Sequence, residues 1–150
     1  MASFDRLGQY PQGSTLPVSP ATISGLDQLR DGRLNKEMAF SIEERQSLGI
    51  HGLLPPRVKT QDEQVKHALA NIERFSDDLN KYIYLMGLQE RNEKLFYRVM
   101  AENVEAFMPL VYTPTVGLAC QKYGLIFQKP RGLFISIHDA GHVYDVLKNW

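Results

Sequence analysis

Behind two recognisable helix starts, apolar side chains return every three or four residues, and this rhythm constrains the chain more than any other feature. Ser41 with Glu44, and Thr60 with Glu63, are both Ser/Thr-x-x-Glu capping boxes, in which each side chain satisfies a backbone N–H the first helical turn leaves unpaired. After Thr60, the set Val65, Leu69, Ile72 and Phe75 keeps to one face of a 3.6-residue period. Ser76 then offers an N-cap for a helix carrying Leu79, Ile83 and Met86. Leu95, Phe96, Val99 and Met100 continue the pattern, as do Val104, Phe107, Met108 and Val111, and all are expected in the core. Thr113 as N-cap with Pro114 at the first helical position predicts one more helix, with Gly124 at its C-terminal cap. From Ser41 onward the chain therefore reads as short helices packed on a shared core.

The character changes at both ends. Residues 1–33 are rich in Gly, Pro, Ser and Gln without periodicity, too poor in apolar area to offset ordering entropy, and read as a flexible arm. The helical domain spans 34–128. Over 129–150 the run Gly132 to Ile137 reads as a buried parallel strand leading into a helix capped by Asp139, the start of an α/β layer. A strand without neighbours is unstable in water, so that layer is expected to be truncated. The fold class is mainly α: a helical N-terminal domain, then the first strand and helix of an unfinished α/β domain.

Composition removes several functions. Lys plus Arg and Asp plus Glu each number 17, so no net field draws this chain to nucleic acid or an acidic membrane. No apolar run reaches the roughly 18 residues of a membrane span. The single cysteine, Cys120, rules out an internal disulfide and a cysteine-built zinc cage, fits a reducing compartment, and is expected to be a buried spectator. Arg6 and Arg30 are offset by Asp5 and Asp27, unlike an Arg-rich import presequence, which favours the cytoplasm over the mitochondrial matrix.

Residues 110–123, LVYTPTVGLACQKY, place Tyr112 directly before a Thr-Pro-Thr-Val-Gly turn between helices, a usual position for a side chain aimed into a cleft. This run resembles the tyrosine motif of malic enzymes. LNKEMAF (34–40), HGLLPP (51–56), LQERNEKLFYRV (88–99) and KPRGLFISIHDAGH (129–142) resemble the same family, in order and with natural spacing. The resemblance implies oxidation of malate with NAD or NADP, decarboxylation assisted by Mg or Mn, and protonation of the enolate of pyruvate, in a homo-oligomer (dimer or tetramer). It also implies that Tyr112 is the general acid of the last step. A phenol, with an ordinary pKa of about 10, keeps its proton at neutral pH and can deliver it.

The family's lysine base, malate-binding arginine and acidic metal trio have no counterpart in 1–150, and no Gly-x-Gly-x-x-Gly follows a strand. Glu43-Glu44 and Asp77-Asp78 are adjacent, diverge by about 100° on a helix, and read as first-turn charges rather than chelators. No cofactor or metal residue is therefore expected here, and the fragment alone is expected to be inactive. In the fumarate-activated branch, the arginine matching Arg91 holds the activator with a second arginine. Here that second place falls on His67 or Lys66, and the nearby acidic place on Lys59, a departure that argues against such activation. The plain reading of Arg91 is an ion pair with Glu93 or another carboxylate. His138 and His142 straddle a turn and are not expected to share a metal; the resemblance puts Asp139 and His142 near a subunit interface. His51 reads as structural. Two alternatives stand beside the enzyme fragment: a truncated isoform that binds full-length subunits, and a malolactic enzyme.

Overall fold

The computed structural model describes residues 25–150, which form helices and turns with no strand among them. Most of the expected 1–33 arm lies outside the described residues. The part that does not, 25–33, contains α1 (Gly25–Arg30). A 3₁₀ turn follows at Glu37–Ala39, then α2 (Ile42–Ser47), α3 (Gln61–Glu73), α4 (Asp78–Arg91), α5 (Glu93–Glu102), α6 (Val104–Val111), α7 (Thr115–Gln121), α8 (Tyr123–Ile126), a second 3₁₀ turn at Ile137–Asp139 and α9 (Val143–Leu147).

Both capping boxes are present, with Ser41 Oγ accepting from Glu44 N at 3.2 Å and Thr60 Oγ1 from Glu63 N at 3.1 Å. The next starts differ from expectation. Asp77, not Ser76, caps α4, its carboxylate accepting from Asn80 N at 2.9 Å. A carboxylate is the better partner for the positive end of a helix, and these bonds hold the Asp77 pKa below the usual range. Thr113 makes no capping bond. Pro114 occupies the cap, its peptide with Thr113 is cis, and α7 begins at Thr115. Gly124 ends no helix, because the Lys122 carbonyl accepts from Leu125 and Ile126 N–H groups and so restarts one, α8.

Helix α4 is the centre of the fold, packed on α5, α6 and α7, with α3 laid across α5. Val65, Ala68, Ile72, Leu85, Leu88, Leu95, Phe96, Val99, Phe107 and Leu110 form one continuous core. Each large side chain taken fully from water there contributes about 1.5–3 kcal/mol before entropy is counted. Val104 and Met108 leave that core, at 51% and 45% exposure. Helix α6 turns only its Phe107 and Leu110 face inward, and no described element covers the other side. Cys120 is likewise exposed, since α7 buries Thr115 and Ala119, one turn apart, and Cys120 points about 100° away.

An arginine organises the segment before α3. Arg45 is 2% exposed and donates to four backbone carbonyls: Phe40 at 3.0 Å, Pro55 at 2.7 Å, and Met38 and Arg57 at 3.2 Å each. The rigid fork of the guanidinium thus ties residues 38–40 to 55–57 and satisfies carbonyls that no helix could.

The expected strand does not form. Residues 132–135 form a bend and irregular backbone without a ladder, because no described segment offers a neighbouring row of N–H and C=O groups. Asp139 does not begin a helix either. Ser136 caps a 3₁₀ turn, and Asp139 is its reciprocal partner, accepting from Ser136 N at 2.7 Å; this lowers the Asp139 pKa. His142 caps α9 instead.

Candidate functional site

Tyr112 stands where α6 ends and the turn to α7 begins. Its N–H donates to the Met108 carbonyl at 2.8 Å, closing α6, and its own carbonyl accepts from Val116 N–H at 2.8 Å, opening α7. Both backbone groups are thus fixed, while extended dihedrals of −127° and −151° swing the side chain off the helix axis. Phe107 and Leu110 before it, and Thr115 and Ala119 after it, are buried, so the junction itself is anchored. The ring is 63% exposed, and among the described residues its hydroxyl makes no hydrogen bond. The phenol is thus accessible to solvent on a fixed backbone.

Arg91 closes α4 and is committed to a carboxylate, though not to Glu93. Its Nε donates to Glu37 Oε1 at 3.0 Å, and its guanidinium lies 5.3 Å from the Tyr84 ring centroid. Glu37 holds a left-handed backbone, φ +50°, rare for a residue with a side chain. The buried Asn35 supports it by accepting from Glu37 N at 2.7 Å while donating to the Leu29 carbonyl at 3.0 Å. Arg91 therefore joins the segment around 34–40 to that around 88–99. Lys59 and His67 meet each other, Nζ to Nδ1 at 3.0 Å, and neither contacts Arg91. No contact joins Arg91 to Tyr112.

The remaining candidates stay apart. His138 lies in the 3₁₀ turn, and His142, at the start of α9, is 4.0 Å from Asp145. Glu44 binds Lys36 and the Ser41 cap, and Asp78 binds Lys81 at 3.1 Å, leaving the acidic pairs as first-turn charges. Among the described residues no three His, Cys, Asp or Glu side chains gather where they could hold a metal ion. No described helix is long and apolar enough to cross a membrane.

Two clefts border α4. A shallow one of ≈ 670 Å³ lies between Asp27–Arg33, Gln89–Glu93 and Lys129–Arg131, with Trp150 at its edge. A slot of ≈ 130 Å³ is lined by Tyr82, Met86, Tyr123 and Phe127, and burial pushes the Tyr82 hydroxyl pKa up.

Comparison with known proteins decides the relationship. The family description "Malic enzyme, N-terminal domain" matches residues 89–150. The NADP-dependent malic enzyme of Anas platyrhynchos is 63% identical over 126 residues, covering 84% of this chain and 23% of that protein. This chain belongs to the malic enzyme family. The NADP-dependent malic enzyme of Rattus norvegicus is 62% identical over 121 residues, 81% of this chain and 21% of that protein. The mitochondrial NADP-dependent malic enzyme of Homo sapiens is 58% identical over 138 residues, 92% of this chain and 23% of that protein. The chain thus spans less than a quarter of the length of these malic enzymes.

Sequence reasoning missed Arg45 and Glu90. Arg45 follows a capping box and gives no signal, because its four acceptors are backbone groups scattered over 38–57. Glu90 pairs across about forty residues with Lys129 and Arg131. The KPR triplet was visible, but its acidic partner was one of 17 carboxylates.

Proposed function

We propose that this chain is the N-terminal part of an NADP-dependent malic enzyme, which oxidises malate and decarboxylates the product to pyruvate and carbon dioxide. Tyr112 is its proton donor. The identity to NADP-dependent malic enzymes carries the reading and favours NADP over NAD. The exposed hydroxyl of Tyr112 at an anchored junction is compatible with it.

Within this mechanism the chain's own contribution is acid catalysis. The Tyr112 hydroxyl gives its proton to C3 of the pyruvate enolate and is then reprotonated from solvent. The cofactor supplies hydride acceptance and Mg or Mn would stabilise the enolate oxygen, but residues 25–150 do not fit either group: no metal-ligating trio and no glycine fingerprint is present. Those groups require a longer polypeptide, in which 129–150 would begin the next domain, and the enzyme would be a homo-oligomer. We place it in the cytoplasm; relatives named mitochondrial keep the matrix as the alternative. Arg91 as an effector ligand is disfavoured by its engagement with Glu37.

A chimera in which this chain replaces the matching segment of the Anas platyrhynchos enzyme tests the reading. It should reduce NADP with malate and release pyruvate, and a folded but inactive chimera would refute it. The exposed apolar side chains of 133–147 favour a second reading, a chain that pairs with full-length subunits. Co-elution with the Anas platyrhynchos enzyme and a change in its rate would support that reading.

A further inference from the structure

Helix α9 and the 3₁₀ turn before it pack against no core helix as extensively as the core helices pack on one another. Two sets of contacts, at and just before the start of residues 132–150, join that segment to the core, and Trp150 lies at the edge of the shallow cleft. The first is aromatic: Phe134 lies 5.9 Å from the Tyr123 ring centroid and 6.4 Å from that of Phe127. The second is Glu90 on α4. Its Oε2 is 3.1 Å from Lys129 Nζ and its Oε1 is 2.6 Å from Arg131 Nη2, so each oxygen holds its own cation. Arg131 also donates to the Met86 carbonyl at 3.2 Å and to Gln89 Oε1. Glu90 is only 23% exposed at its side chain. Its backbone carbonyl abuts Gly32, where an added Cβ would lie 2.1 Å from the oxygen, so the last turn of α4 that carries the carboxylate packs closely on the Gly32 backbone.

The surrounding charges make this carboxylate decisive. The shallow cleft is lined by Arg30, Arg33, Lys129 and Arg131 against Asp27, Asp31, Glu90 and Glu93. That balance of four cations and four anions becomes four against three if Glu90 is neutralised. We propose that Glu90 is a charge clasp that straps residues 132–150 to the end of α4, and that screening or removing its charge releases the strap while the helical core stays folded. One carboxylate serving two cations forms a network, the case in which surface ion pairs have measurable effect, and partial exposure makes it sensitive to salt.

The sequence supplies its own probes, a single tryptophan at the strap's end and a single, exposed cysteine on α7. With a fluorescent acceptor on Cys120, the time-resolved decay of Trp150 in the full 150-residue chain reports their distance distribution. Glu90→Gln should broaden that distribution and about double its width, with unchanged helical circular dichroism. Raising salt from about 0.05 M to about 1 M should do the same to the unsubstituted chain, because the screening length falls severalfold. Arg131→Gln, outside every helix, should reproduce the effect and decides the matter if Glu90→Gln perturbs α4. A distribution unchanged in Arg131→Gln and in high salt would overturn the proposal.

Discussion

Helix α4 and residues 129–150 use similar side chains to opposite ends. On α4, which packs against three other helices, Leu85 and Leu88 are 0% and 1% exposed, whereas Phe134, Ile137 and Tyr144 are 61%, 84% and 71% exposed. The first region is ordered by burial of apolar area, and the second by two cations, one carboxylate and three rings. Apolar composition alone therefore does not make a core; a second surface at helix-packing distance does.

The largest expected effect lies in the core. Leu85→Ala should lower unfolding free energy by about 2–5 kcal/mol in a urea melt, the cost of a cavity among fully buried neighbours. A loss below about 1 kcal/mol would erase the contrast between the regions. Gly32→Ala should cost about 1–3 kcal/mol, because its Cβ would meet the Glu90 carbonyl, backbone that cannot swing aside. A thermal melt with an unchanged midpoint would show that the turn is looser than described. Phe134→Ala should cost at most about 1 kcal/mol and leave the core transition cooperative, since the ring is mostly in water.

The smallest effect is on acid stability. Glu44 has its pKa lowered by Lys36 and by the Ser41 N–H, and that of Glu63 is lowered by the Thr60 N–H. A carboxylate with a depressed folded pKa binds fewer protons folded than unfolded. Its stabilisation is present above the ordinary Glu value of about 4.5 and is lost as pH falls through the depressed value. The melting midpoint should therefore drop below that pH, and Glu44→Gln should flatten the drop. An equal slope in the variant would remove Glu44 from the account.

Local signals in the sequence carried the helical part. Both capping boxes and the face of Val65, Leu69 and Ile72 need only neighbours three or four residues away, and these were legible. Starts one residue off reflect, at Asp77, a carboxylate outcompeting the adjacent Ser76 hydroxyl and, at Pro114, a helix that begins without any side-chain cap. Val104, Met108 and Cys120 were misjudged because periodicity shows which residues share a face but not whether anything covers it. The strand at 132–137 failed for the same reason, since β-propensity describes half of a pair. At the candidate site, the position of Tyr112 between helices was legible, whereas the Arg91–Glu37 link was not, because it spans 54 residues.

Tyr112 is anchored at the junction of α6 and α7, and its ring is open to solvent. Its substitution tests the central claim most directly. In the chimera with the Anas platyrhynchos enzyme, Tyr112→Phe should reduce kcat by about 10²–10⁴-fold, the usual contribution of a general acid, with NADP affinity nearly unchanged. An unchanged kcat would contradict its role as the proton donor.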